Sequence, residues 1–380
     1  MKIKVAVVVS LLLCCTTTAI AAQGDSLQVS LITCSPGNEA YTLFGHTAIR
    51  VRDERRGSDW VYNYGMFNYR SEGFVWRFVR GETDYILGVE PADFFFGRYL
   101  EQGYSVEEQV LALDEEECGR LREELDENAR PENRTYRYNF LYDNCTTRAR
   151  DMLERLAPLT SLDFSEETGT FRQLLHQFTH DYPWTEFGID LVLGAEVDRT
   201  MTQRESMFIP SVFAAFMDDA CWEGQGRAVS ECRHYAPVAA REETGGFALS
   251  PMAVMLCVLV LTLATCVWEW RSRRRCVLLD ALLIVVQGLA GCLIAFLFFF
   301  SEHPAVDTNW LVLAFNPLAF VLLFNLRLPL NWFQKACEYV NLSVLTFTLL
   351  LFLLPLQSIP SALLPLVLSL LVRGLTRVTK

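Results

Sequence analysis

From Phe247 onward the chain runs through successive apolar stretches that are too long and too poor in charge to form the core of one soluble domain. Leu249–Trp268 offers twenty residues without a charge, enough to cross a hydrocarbon layer of ~30 Å. Cys276–Phe300 predicts a second span, with Asp280 near one end. Trp310–Leu326 predicts a third, in which Asn316-Pro317 would free backbone groups that need partners. Tyr339–Leu356 predicts a fourth. Ile359–Val372 has only fourteen residues and two prolines, so its length alone argues weakly for a fifth.

The basic residues settle the count. Arg271, Arg273, Arg274 and Arg275 follow the first run, Arg327 and Lys335 the third, and Arg373, Arg377 and Lys380 the last, whereas 301–309 and 357–358 carry no Lys or Arg. Five spans put every one of these cations on one face, which the positive-inside rule makes cytoplasmic. Four would leave the tail on the other side. The chain from 23 to about 248 then lies on the outer face together with the loop Ser301–Asp307. At the start, Lys2 and Lys4 precede an apolar core from Val5 to Cys15 and a small-residue run ending Ala19-Ile20-Ala21-Ala22, the pattern of a cleaved secretory signal. The expected organisation is a signal at 1–22, an exported domain at 23–245 and a membrane domain at 246–380.

The chain has a net charge of −12, although its last 132 residues hold nine Lys or Arg against five acids. The acid excess therefore lies in the exported part, which excludes a general pull on phosphate backbones and with it a nucleic-acid binder. Within that part, Ser35-Pro36-Gly37 leads to Phe44-Gly45-His46, after which Thr47, Ile49 and Val51 alternate with Ala48 and Arg50. This predicts a strand beginning directly after Gly45. Trp60–Phe67 predicts its neighbour, joined through a polar turn around Arg55–Ser58. Further on, Asp143-Asn144-Cys145-Thr146-Thr147-Arg148 precedes helically spaced Met152, Leu153 and Leu156. Asn144 is a favourable N-cap, and Cys145 then opens a helix, where the dipole and free N–H groups favour a thiolate.

Export implies an oxidising compartment, and the exported domain has five cysteines, an odd number. Cys221 and Cys232 bracket a polar Gly-rich segment and could close a small loop. Cys34 and Cys118 could form a second disulfide. The thiol left over is then Cys145. Of the four histidines there, His176 and His180 stand at i, i+4 without a third ligand in spacing, so no metal is expected. His46, at a strand start, is the best base for Cys145. Asn63 or Tyr64 on the next strand is the expected third group holding the imidazole. Phe94-Phe95-Phe96 reads more readily as core than as an acyl groove.

These segments resemble a known family. Ser35-Pro36-Gly37…Phe44-Gly45-His46, Tyr62-Asn63-Tyr64-Gly65, Tyr138-Asn139-Phe140…Asp143-Asn144-Cys145 and Pro183-Trp184…Phe187-Gly188 look like the Lnb-type periplasmic domain. Glu302-His303-Pro304…Asn309-Trp310…Asn316-Pro317-Leu318 look like its membrane half. The resemblance implies an α+β, permuted papain-like Cys–His domain exported to the periplasm, followed by an all-α membrane domain in the bacterial inner membrane. It also implies lipoprotein N-acylation: an acyl chain passes from a phospholipid to Cys145, with His46 as base, and on to the α-amine of a diacylated lipoprotein. No cofactor is implied. Asn144 is expected to support Cys145, and Glu302 and His303, in the outer loop, to contact substrate. The rival expectations are a Cys–His amidase or peptidase acting on cell-wall peptides, and a non-enzymatic membrane scaffold or sensor.

Overall fold

The computed structural model describes residues 27–67, 70, 72–161, 168–238, 249–326 and 329–379. The expected signal, the junction at 245–246, Arg327 and Lys380 lie outside the described residues. Seven strands, β1 (Leu27–Cys34), β2 (His46–Asp53), β3 (Ser58–Met66), β4 (Asp84–Pro91), β5 (Val106–Leu111), β6 (Thr135–Arg137) and β7 (Val229–Tyr235), form one antiparallel sheet in the order β7-β5-β1-β2-β3-β4-β6. The strand expected after Gly45 begins at His46, and its neighbour is β3, paired Ile49 to Tyr62 and Val51 to Trp60.

Both sheet faces are covered, and the period-two pleat decides which side chain goes where. On one face Leu31, Ile49, Tyr62 and Tyr64 pack against Leu121 and Leu125 of α3 (Glu115–Asn128), Met152 and Leu153 of α4 (Cys145–Glu154) and Phe213 and Met217 of α7 (Pro210–Asp219). On the other, Ile32, Cys34, Ala48 and Val61 pack against Phe95 and Phe96 of α2 (Ala92–Glu101). The Phe94–Phe96 run is thus mainly core, with Phe94 turned outward. A six-residue helix, α1 (Phe74–Val79), bridges β3 and β4. A satellite core gathers Leu43, Phe44 and Leu141 with Phe171, Leu174 and Leu175 of α5 (Phe171–Thr179).

Neither expected disulfide forms: Cys34, Cys118, Cys145, Cys221 and Cys232 are all free thiols. Cys34 and Cys118 are buried on opposite faces of the sheet. Cys221 pairs with Thr160 in a separate two-stranded ladder, whereas Cys232 lies on β7 opposite Gln109 of β5. Sheet pairing has carried both couples apart.

In the membrane half, α8 (Pro251–Ser272) and α9 (Val277–Phe300) are long and apolar enough to cross a bilayer. The third apolar run is not an α-helix. Trp310–Val312 and Pro317–Leu326 are 3₁₀ segments broken at Asn316, whose amide takes up the Leu313 carbonyl and the Leu318 N–H. Gln287 of α9 donates to the Ala314 carbonyl at 2.8 Å, so the broken run finds its partners inside the bundle. The last two helices are α10 (Trp332–Leu351), displaced toward the N-terminus from the run expected at 339–356, and α11 (Leu363–Thr379), displaced toward the C-terminus from the run expected at 359–372.

Arg373 and Arg377, expected to follow the last span as its cytoplasmic flank, lie inside α11 and are buried. Arg373 meets Glu269 of α8 and Asp280 of α9 at 2.9 and 2.8 Å, and Arg377 meets Glu338 of α10 at 2.6 Å and Asp280 at 3.1 Å. Arg275 completes a cluster of three cations and three carboxylates. All six sit at one end of the bundle, where they fasten four helices.

The outer end carries the soluble domain. Helix α6 (Pro183–Val192), to which the sequence assigned no chemistry, packs Phe187 and Leu191 onto the membrane core. The loop 301–309 is stitched to the domain by backbone: Glu302 N–H to Arg80 O at 2.7 Å, Gly194 N–H to Ala305 O at 2.7 Å and Ala195 N–H to Thr308 O at 3.1 Å. Gly81 and Gly194 permit this approach. A β-carbon at Gly194 would lie 2.4 Å from Asn309 N, and one at Gly81 would lie 2.6 Å from His303 N.

Candidate active site

Cys145 is the first residue of α4. Asn144 caps that helix, accepting from Thr146 and Thr147 N–H at 2.9 and 3.0 Å and donating to the Phe140 and Phe208 carbonyls. Asn144 therefore supports Cys145 by fixing the helix start rather than by touching a substrate. A second tie joins the helix to the sheet, where the Thr146 and Thr47 hydroxyls meet at 3.0 Å. Because Thr47 follows His46, this contact sets the thiol against the imidazole, close enough for each to shift the other's pKa.

The pleat selects the third group. Asn63 shares the α2 side with Val61, and its Oδ1 accepts from His46 Nε2 at 2.6 Å, which leaves Nδ1 for Cys145. Tyr64 has the opposite parity: it points into the α3 side and donates to Asn128 Oδ1 at 2.6 Å. Behind Asn63 stand groups that sequence reasoning missed. Its amide donates to Glu90 at 2.9 Å, and Glu90 is held by both terminal nitrogens of Arg98 on α2 at 2.8 and 2.9 Å. Tyr99, one residue on, stacks over the His46 ring. No local pattern marks these residues, because they reach the site through β4 and α2.

Burial pushes the Cys145 thiol up, but the His46 charge and hydrogen bond, with the Thr47 N–H and the Thr146 hydroxyl, outweigh it and hold the thiol below its ordinary range. Burial lowers His46, and the Cys145 thiolate and Asn63 more than restore it, so the imidazole stays above its ordinary value. Both shifts favour the thiolate–imidazolium form, a nucleophile beside a proton donor, with the ring oriented by an amide. Such an array attacks acyl carbonyls.

The remaining candidates sit elsewhere. Glu302 pairs with Arg137 at 3.0 Å, and His303 donates to the Phe78 carbonyl at 2.5 Å, so both help to dock the outer loop. Burial lowers the His303 pKa. His176 meets the Asp190 carboxylate at 3.0 Å and His180 meets Asp181. Glu107, Cys232 and His234 bring three ligand-type atoms within 4.8 Å of one another on the sheet edge, remote in chemistry from the thiol.

A thiol, an imidazole and an amide gathered at an antiparallel sheet, fastened to the end of an apolar helical bundle, define an α+β domain carried on a helical membrane domain. Residues 18–177 match the family model of the Lnb N-terminal periplasmic domain, and residues 241–380 match that of the Lnb transmembrane domain. The chain belongs to the Lnb-type family and is a membrane protein with an N-terminal periplasmic domain. No curated protein and no solved structure matches it.

Proposed function

We propose that the protein is a lipoprotein N-acyltransferase of the bacterial inner membrane, its spans numbering five and its domain a permuted papain-like fold. The observation that carries this reading is the Cys145–His46–Asn63 array in a domain docked onto the outer ends of the membrane helices. Both substrates of such a reaction live in that membrane.

In the first half-reaction the Cys145 thiolate attacks a phospholipid acyl ester. The ester C–O bond breaks, the departing glycerol oxygen takes the proton of the His46 imidazolium, and a thioester and a lysophospholipid result. In the second, the free α-amine of a diacylglyceryl-cysteine attacks the thioester carbonyl and gives its proton to His46. The C–S bond breaks, an amide forms, and the thiolate–imidazolium pair is restored. His46 thus moves one proton each way per cycle, and Asn63 keeps its ring in place for both transfers.

Mass spectrometry of lipoprotein N-termini tests this. Cells lacking native N-acylation are given the wild type or Cys145→Ala. A third acyl chain with the wild type and none with the variant is the expected result. Diacylated N-termini in the presence of well-expressed wild type would overturn the reading and favour cleavage of wall peptides.

A further inference from the structure

The short helix α1 leaves its apolar side chains in the open: Val75 is 73% exposed, Trp76 57% and Phe78 46%. Its position is not arbitrary. Trp76 packs its ring against Phe296 in the last turns of α9, with centroids 5.1 Å apart. The Ser301 hydroxyl, the Glu302 N–H and the His303 ring bond to the Val79, Arg80 and Phe78 carbonyls at 3.0, 2.7 and 2.5 Å. α1 is therefore pinned level with the outer end of an apolar span whose own Phe299 and Phe300 are two-thirds exposed. A helix with an apolar face at that depth lies in the plane of the bilayer interface.

Behind α1 is a cleft of about 380 Å³, walled by Met66, Phe67, Phe74 and Ile86, with Arg77 and Asp84 also lining it. That volume falls within the ~300–1,000 Å³ of small-molecule sites. A row of stacked rings runs from the cleft into the core that holds the thiol. Phe74 stacks on Phe67, Phe67 on Tyr85 and Tyr85 on Tyr138, at 5.6, 4.9 and 4.2 Å. Tyr138, the last ring, packs against the same core cluster as Cys145. Gly65, the neighbour of Met66, closes the gap: a methyl group there would lie 3.7 Å from Cys145 Cβ and 3.9 Å from His46 Cε1.

We propose that α1 lies in the outer leaflet and that the cleft behind it takes one acyl chain of a phospholipid, laying the chain along the aromatic row so that its ester reaches Cys145. The Arg77 guanidinium stands at the cleft to meet the phosphate. The delivery step rests on the acyl-transfer reading; the membrane contact of α1 does not.

Two experiments on the full chain in vesicles of phosphatidylethanolamine and phosphatidylglycerol separate these statements. A benzophenone amino acid at Val75 is expected to give a phospholipid adduct on irradiation, and one at Arg120 on α3 none; absence of an adduct at Val75 removes α1 from the leaflet and overturns the proposal. Val75→Glu with Trp76→Glu is expected to slow thioester formation at Cys145 from vesicle lipid by about tenfold or more, and from water-soluble p-nitrophenyl butyrate by less than about twofold. Equal rates with lipid, or an equal loss on both esters, refutes delivery through α1. If wild type forms no thioester from either ester, the acyl-transfer reading fails, while the cross-link still decides the membrane contact.

Discussion

Replacing Asn63 by Ala tests the site at its least obvious member. The variant loses two hydrogen bonds, one from His46 Nε2 at 2.6 Å, on a ring whose charged form is favoured, and one to Glu90 at 2.9 Å. It does not strip a buried charge, because Glu90 keeps both contacts from Arg98. A hydrogen bond to a charged group contributes about 1.5–3 kcal/mol. If that stabilisation belongs to the oriented imidazolium, acylation of Cys145 should slow by about ten- to 150-fold at ~1.4 kcal/mol per tenfold. Single-turnover release of p-nitrophenolate, with intact mass to report the acylated thiol, measures it. Tyr64→Phe is the matched control: it deletes a bond of the same length on the other face of the same strand, to Asn128, and should change the rate by less than about twofold. A rate for Asn63→Ala within about twofold of wild type would refute the orienting role, as would an equal loss from Tyr64→Phe.

The thiolate–imidazolium pair makes Cys145 reactive in acid: iodoacetamide labelling should persist as pH falls below the ~8.5 of an ordinary thiol and decline only through the lowered Cys145 pKa. Cys232, which burial and Glu107 push up, should lose reactivity first, and His46→Ala should move the Cys145 inflection upward; coincident profiles would refute the pair. Asn144→Ala removes a helix cap and strands one buried and one half-buried carbonyl, so the domain should lose about 2–4 kcal/mol by denaturant or thermal unfolding. Arg373→Met leaves Glu269 and Asp280 buried without their main cation and should cost about 3–5 kcal/mol, read as thermal unfolding in detergent. Adding Glu269→Gln should recover much of that loss; an additive further loss would refute the ion-pair account. Reducing agent should leave the unfolding temperature unchanged, since the thiols are free, and a clear drop would restore the disulfides.

The outer loop shows how far pattern reading carries. Glu302 and His303 have the chemistry of substrate contacts, and only the fold reveals their partners, Arg137 and the Phe78 carbonyl, which come from segments more than 150 residues earlier. The same docking explains Pro183–Val192, a motif without chemistry that becomes the helix joining the two halves.

Whatever short-range physics controls is legible in the residues themselves. A strand begins at His46 because alternation starts there, and Cys145 opens a helix because Asn144 can accept from the next two N–H groups. The apolar runs and the placement of Arg and Lys likewise set a membrane half and its polarity, since span length and loop charge are properties of continuous stretches. The tertiary structure decided everything that depends on register and on distant pairing. Strand parity chose Asn63 over Tyr64, and β4 with α2 supplied Glu90 and Arg98. The two sheet faces parted Cys34 from Cys118, and four helices closing on Arg373 and Arg377 turned an expected flank into a buried cluster. Those outcomes turn on hydrogen bonds and packing between residues tens to hundreds of positions apart, which no local pattern encodes.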